Sequence, residues 1–318
     1  MNMFRKWLTL EVSVVFLAIV FSGLESCKRE ADTTKKQDSS PKNANSESPR
    51  KTLSQEFKDY WYAGTAEITS YELEQARYGE LRKGKAVLIY VTEPFVEDKQ
   101  VKADNSSPDN IPVLKLNATK KYLTGIYPYS IMTSSFYPVY DNQHAIKVSF
   151  SAQEWCGHVY AQINNRDNFE VQSHSYFESE ADQEFNLEKS ILEDELWNKL
   201  RISPEDLPQG SLELIPSLEY LRLSHKELMA YEANASLTNK NGNYSYEIDY
   251  PELERTLTIT ISTTLPYKIE SWTETIKSGF GPDAELLTSK ATKIKSINTP
   301  YWQQNGNKDL YLRDSLGL

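Results

Sequence analysis

From residue 65 to residue 294 the chain alternates apolar and polar residues with a period of two, in short runs cut by proline, asparagine and glycine. Successive side chains of a strand point to opposite faces, so each run commits itself to one buried and one wet face. Runs at 65–73 and 85–91 predict a first pair, with Val91-Thr92-Glu93-Pro94 ending the second strand, and further strands are expected at 113–122, 131–137, 145–151, 157–163 and 169–177. In the last of these, Phe169, Val171, Ser173, Ser175 and Phe177 share a face opposite Glu170, Gln172, His174 and Glu178. Residues 185–202 break the pattern: Leu187, Ile191, Leu192, Leu196, Trp197 and Leu200 fall at helical spacings among Glu and Lys, which predicts an amphipathic helix stopped by Ser203-Pro204. Trp197 and Leu200, three residues apart, are expected to point at the sheet.

Strands resume at 212–215, 218–223, 231–237 and 244–250, with Asn239-Lys240-Asn241-Gly242-Asn243 as a hairpin tip between the last two, and 256–263, 268–275 and 286–294 complete a meander. The 20 Tyr and 11 Phe suit aromatic-rich sheets. The fold class is mainly β: a curved antiparallel sheet or partly closed barrel wrapped round one amphipathic helix, with two packed sheets as the alternative and a subdivision near 204–210 left open. A helix in the concavity is expected to leave little room for a ligand.

The N-terminus gives an address. Arg5 and Lys6 precede a mostly apolar stretch at 12–23, and Leu24-Glu25-Ser26-Cys27 stands where a lipobox stands. That stretch is shorter than the ~20 apolar residues of a spanning helix. Residues 1–26 are therefore expected to be a lipoprotein signal peptide, and Cys27 the site of lipidation. Residues 28–52 hold two alanines and otherwise Lys, Arg, Asp, Glu, Ser, Thr, Asn, Gln and Pro, too little apolar surface to offset ordering entropy, so 27–52 is expected to be a lipidated cysteine with a disordered tether, followed by one β-rich globular domain over 53–318. The expected location is the outer membrane, with the body facing the periplasm or the cell surface. A net charge of -10 lacks the footprint of a phosphate-binding surface and argues against a nucleic acid partner. The expected partners are the membrane, through the lipid anchor, and an envelope protein, lipid or glycan. With Cys27 acylated, Cys156 is the one thiol left, so no intrachain disulfide braces the fold.

Glu154-Trp155-Cys156-Gly157-His158 is the one cluster of reactive groups. In a strand, Glu154, Cys156 and His158 share a face, where the thiol would serve as nucleophile, the imidazole as base and the carboxylate as its orienting group; the same trio has zinc-ligand chemistry. The alternative is that Cys156 is a small buried hydrophobe and Trp155 a core anchor. His144, His174 and His225 are expected at the surface. The acidic runs Glu178-Ser179-Glu180-Ala181-Asp182 and Glu193-Asp194-Glu195 invite calcium, but the first lacks the turn glycine and closing glutamate of a calcium loop and the second is expected to be a solvated helix face. Trp302, in Pro300-Tyr301-Trp302, offers an aromatic face for a sugar. No cofactor motif is present.

The stretch from Gln153 to Tyr160, with Tyr127-Pro128-Tyr129-Ser130-Ile131-Met132-Thr133-Ser134 before it and Leu192-Glu193-Asp194-Glu195-Leu196-Trp197 after it, resembles a group of Bacteroidota lipoproteins without established activity. Some members carry the label "septum formation inhibitor Maf", a name shared with cytosolic α/β nucleotide pyrophosphatases whose fold the alternation here does not match. Leu257-Thr258-Ile259-Thr260-Ile261 followed by Leu265-Pro266-Tyr267-Lys268-Ile269-Glu270-Ser271-Trp272 is similar, at the level of architecture, to adjacent strands of half-barrel lipoprotein carriers, which implies a hydrophobic groove. The function expected from these observations is binding or scaffolding at the envelope. The alternatives are a Cys-dependent hydrolase or transferase using Cys156, His158 and Glu154, and an envelope lipid or lipoprotein carrier.

Overall fold

Alternation sustained over two hundred residues has to be answered by a large sheet. The computed structural model, which describes residues 51–318 apart from 141 and 142, contains one of sixteen strands. The signal segment, Cys27 and the tether up to residue 50 lie outside the described residues. The first half of the sheet is β1 (Ala66–Arg77), β2 (Glu80–Val96), β3 (Val101–Lys102), β4 (Ile111–Thr124), β5 (Tyr127–Pro138), β6 (Lys147–Glu154), β7 (Gly157–Asn165), β8 (Phe169–Ser175) and β9 (Gln183–Leu187). The second is β10 (Ile191–Leu192), β11 (Gly210–Ile215), β12 (Tyr231–Lys240), β13 (Asn243–Tyr250), β14 (Arg255–Ser262), β15 (Ile269–Ser278) and β16 (Glu285–Thr299). The first half, with the short β3 off its path, and β11 to β16 of the second are antiparallel meanders, β10 adds to β11 in parallel, and β16 pairs antiparallel with β1 to join the halves. The sheet's two edges are β9 and β10, neighbours in sequence that do not pair, so the sheet curls without closing. Strands on both sides of 204–210 belong to this one sheet.

Antiparallel pairing sends every second turn to the same end. The turns after β1, β4, β6 and β15 share one end, here the upper one, and β1 begins at the other. β10 runs parallel to β11 toward the upper end and passes directly into α2 (Glu193–Ile202), which descends along the concave side until Arg201 meets Glu67 at the foot of β1. Strand ranges match the alternation closely, and within the hairpin tip expected at 239–243 the turn itself narrows to Asn241 and Gly242, with φ of 55° and 79°, since Lys240 already pairs with Asn243. β2 and β4 run in tight register at Gly84: a Cβ there would stand 2.3 Å from the Lys121 carbonyl oxygen, so only glycine permits the approach.

Inward positions form the core. β14 buries Leu257, Ile259 and Ile261 at period two, and β2 buries Ala86, Leu88 and Tyr90. β1 is buried on both faces, because α4 (Tyr311–Leu316) and the residues around it cover Ala66 and Ile68 from outside through Leu316, Ile297 and Tyr301. α1 (Gln55–Trp61), capped by Ser54, lays Phe57 and Trp61 into the lower core.

Four local expectations are corrected. β2 does not end at Pro94 but continues to Val96, with Pro94 opposite Pro112. The helix predicted over 185–202 begins only at Glu193; Phe185, Leu187 and Ile191 lie on the edge strands β9 and β10, whose half-buried residues mimic a helical spacing. Residues 218–223 form the helix α3 (Leu218–Leu223), capped by the Ser217 hydroxyl, and not a strand. The acidic run of α2 is not solvated: Glu193, Asp194 and Glu195 are 1%, 8% and 0% exposed. Of the two residues expected to face inward, Leu200 is in the core and Trp197 is half-buried against Trp272, ring centres 5.3 Å apart.

Candidate functional site: a polar-ended cavity above the buried helix

Length decides how much of the concavity α2 fills. Ten helical residues span about 15 Å, whereas the 17 residues of β2 span roughly 55 Å. The lower part is packed by α1, α2 and the core. Above it lies a cavity of about 620 Å³, bounded by Glu193, Asp194 and Trp197 of α2, by α3, and by strands from both halves of the sheet. The helix thus leaves more room than its presence in the concavity led us to expect. Leu88, Leu116, Ala118, Ala152 and Val159 line one side, and Leu257, Trp272 and Ile276 the other.

The charges bordering this space are arranged in two groups. At the head of α2, Glu193 takes the fork of Arg255 on both oxygens, with Nη2 to Oε1 at 2.7 Å, and also accepts the Tyr250 hydroxyl at 2.7 Å. Arg255 donates Nε to Glu274 at 2.8 Å and stacks between the rings of Tyr220 and Tyr250. Lys120 and Glu219 pair at 2.8 Å. Asp194 faces no cation within pairing distance among the described residues; its Oδ2 accepts the backbone N–H of Leu218 at 3.0 Å. Burial, with the nearby Glu193 and Glu219 carboxylates, pushes its carboxyl up to about 7.

The second group lies where β1 ends. Arg77 donates Nη1 to the Leu223 carbonyl at 2.7 Å and Nη2 to the hydroxyls of Tyr78 and Tyr129 at 3.2 Å each, and its guanidinium stacks on the Tyr78 ring 4.2 Å from the centre. Its Nε is buried without a partner, and no carboxylate pairs with it among the described residues. Arg222 borders the cavity beside it and shares Glu180 with His225, at 3.1 and 2.7 Å. Glu180, from the first acidic run, is thereby occupied, and Asp182 of the same run pairs with His174 at 3.2 Å.

The reactive cluster takes a different geometry from a strand face. β6 and β7 pair as far as Glu154 and Gly157, so Trp155 and Cys156 form a two-residue turn and the alternation that would align Cys156 with His158 is broken. Both are exposed, as is His158, which pairs with Gln153 across the hairpin. The Glu154 carboxylate accepts the Cys156 backbone N–H at 2.7 Å and the Tyr176 hydroxyl at 3.1 Å. Among the described residues no hydrogen bond joins Cys156 to His158, and Trp155 is not a core anchor. At Gly157 a Cβ would lie 2.5 Å from the Tyr176 ring, so any other residue would push that exposed ring aside. The Glu154 carboxylate, hydrogen-bonded to the thiol, raises the Cys156 pKa and so disfavours the thiolate that nucleophilic attack needs. Alkylation by iodoacetamide at pH 7.5 is accordingly expected to be slower than for free cysteine and to accelerate in Glu154→Gln; a native rate above that of free cysteine would restore the nucleophile reading.

His144 reaches Glu195 at 3.2 Å and is partly buried, unlike the surface position expected of it. Trp302, proposed from sequence as a sugar platform, stands edge-on to Tyr301 and does not line the cavity. Of the acidic residues singled out from sequence, Glu154, Glu193 and Asp194 border the cavity; Arg77, Lys120, Glu219 and Arg255 were missed, because they converge from separate elements and share no local motif.

No family model matches the chain, and no curated protein matches it, so neither the lipoprotein-group resemblance nor the Maf label is backed by a sequence relative. Among solved structures, the chain is similar to a β-barrel-like protein of domain of unknown function DUF1849 from Brucella abortus, at 9% identity and a TM-score of 0.45, over 74% of this chain and 98% of that one.

Proposed function

We propose that this chain is a ligand-binding protein of the cell envelope, tethered to the outer membrane by acyl groups on Cys27 and holding its cavity clear of the lipid surface. The observation that carries the binding role is the cavity itself: about 620 Å³, within the ~300–1,000 Å³ of small-molecule sites, with apolar walls and a few convergent polar groups. Binding is preferred to catalysis because the polar groups at the cavity are mostly satisfied by one another and the thiol sits in an exposed turn. The anchor rests on the arrangement of Arg5, Lys6, the apolar stretch and Cys27.

The neutral probe N-phenyl-1-naphthylamine tests the binding role. The full chain is expected to enhance its fluorescence saturably, and Ala118→Phe, which fills the cavity from its wall, to abolish the enhancement without lowering the urea midpoint. Absence of saturable binding to the native chain would end the binding reading. The anchor is tested separately: Cys27→Ala is expected to leave an unprocessed, unacylated precursor, and normal processing and membrane retention of that variant would remove it.

A further inference from the structure

Among the described residues, the arginines that are buried or half-buried are matched to carboxylates with one exception. Arg201 faces Glu67, and Arg255 faces Glu193 and Glu274. Arg222 has Glu180. Arg77, half-buried at the cavity, is held by neutral groups alone: one backbone carbonyl and two tyrosine hydroxyls. A guanidinium half withdrawn from water without a carboxylate is costly, and beside it the Tyr78 and Tyr129 hydroxyls are hydrogen-bonded to each other at 2.7 Å, so at most one of them keeps a hydrogen to donate next to the cation, a set that suits an anion. We infer that the cavity takes an amphiphilic anion, a carboxylate or phosphate monoester with an apolar body, whose head group is held by Arg77 with one of the paired Tyr78 and Tyr129 hydroxyls.

The rest of the cavity agrees with this orientation. Of the carboxylates that border the cavity, Glu193, Glu219 and Glu274 are already paired with Arg255 and Lys120, which leaves Arg77 as the bordering arginine not matched to a carboxylate among the described residues. The wall of Leu88, Leu116, Ala118 and Val159 offers no charge and suits the apolar body. The Arg77 end is also the end at which apolar residues stand out into solvent. Ile126, Trp155 and Phe280 are 81%, 67% and 74% exposed, on the turns after β4, β6 and β15. Those turns share an end of the sheet with the turn after β1, and Phe280 stacks on Tyr78 at 5.6 Å between ring centres. An amphiphile entering past this rim would bury its body first and leave its head at Arg77.

This inference rests on the binding role proposed above, and the test separates the two. The full chain is titrated with 11-(dansylamino)undecanoic acid and with its methyl ester, which differ only in the charge of the head. The acid is expected to bind roughly ten- to hundredfold more tightly, the range of one charge-assisted hydrogen-bonded contact. Dodecanoate and dodecyl phosphate are both expected to displace it, whereas inorganic phosphate is not. Displacement by inorganic phosphate at equal potency would assign the site to free phosphate and overturn the amphiphile. Arg77→Gln is expected to remove the preference for the acid, so that acid and ester bind with equal affinity. Equal affinity for acid and ester in the native chain, which needs no variant to fold, would overturn the head-group assignment while N-phenyl-1-naphthylamine binding stands. Loss of binding to all of these probes would remove the binding role as well.

Discussion

Arg201→Met is expected to lower the free energy of unfolding by about 3–5 kcal/mol, read as a fall in the urea midpoint, because it strands the Glu67 carboxylate in the lower core. Both partners are essentially out of water, 1% and 2% exposed. Arg201 clamps Glu67 bidentately, at 2.8 and 2.9 Å, donates Nε to the Pro266 carbonyl at 2.8 Å and lies between the rings of Trp61 and Tyr90. Burial by itself would raise the Glu67 carboxyl, but the Arg201 guanidinium outweighs it and holds the group below its ordinary range. A carboxyl depressed in the folded state stabilises the fold above its unfolded pKa, and that contribution is lost as pH falls through the folded one. Remove Arg201 and the sign reverses: burial now raises Glu67, so the variant is expected to recover stability relative to the native chain as pH falls from 7 to 5. The double variant Glu67→Gln with Arg201→Met is expected to recover most of the loss, since no charge is then left unpaired. Equal losses in the single and double variants would show that packing against Trp61 and Tyr90, not the charge, is what Arg201 supplies.

The legible part of this fold is the part in which sequence neighbours decide the outcome. Strands such as β7, with Val159, Ala161 and Ile163 inward, declare themselves through alternation, and Asn241-Gly242 declares its turn through two positive φ values that few residues accept. Short segments are where this fails. Over the six residues of α3, Leu218, Tyr220 and Leu221 satisfy either period, and the Ser217 cap that selects the helix is a single hydrogen bond to the Tyr220 N–H at 3.2 Å. The larger failure is α2. Glu193, Asp194 and Glu195 carry every local mark of a wet helix face, yet what buries them is distant in sequence: Arg255 and Tyr250 around Glu193, the Leu218 N–H on Asp194, and the Ala145 N–H and His144 on Glu195. The same reason hides the cavity. Arg77 is notable only for the carboxylate it lacks, and an absent pairing leaves no trace along the chain.

Asp194→Asn is expected to stabilise the protein at pH 8, by no more than about 4 kcal/mol, and to change almost nothing at about pH 3. The carboxyl's ordinary value of 3.8 rises to about 7 in the folded state, first through burial and then through the Glu193 and Glu219 carboxylates, against the opposing pull of the Leu218 N–H and Arg255. A group raised on folding binds more protons in the folded state, so its contribution is fully present below the unfolded value and declines as pH climbs to the folded one. Asparagine accepts the same Leu218 N–H without ever ionising, so the two proteins should match in acid and diverge between pH 4 and 7 in urea titrations. A difference that does not vary with pH would mean that Asp194 ionises at its ordinary value. The same titration bears on ligand binding, because Asp194 lines the cavity together with Glu193, Glu219, Glu274, Lys120 and Arg255. Below about pH 7 it is neutral; above it one more negative charge is added to a lining that Glu252, Glu254 and Lys277 also share. Affinity for an anionic amphiphile is therefore expected to weaken as pH rises through about 7, and Asp194→Asn to abolish that slope while affinity for the methyl ester stays flat in both proteins.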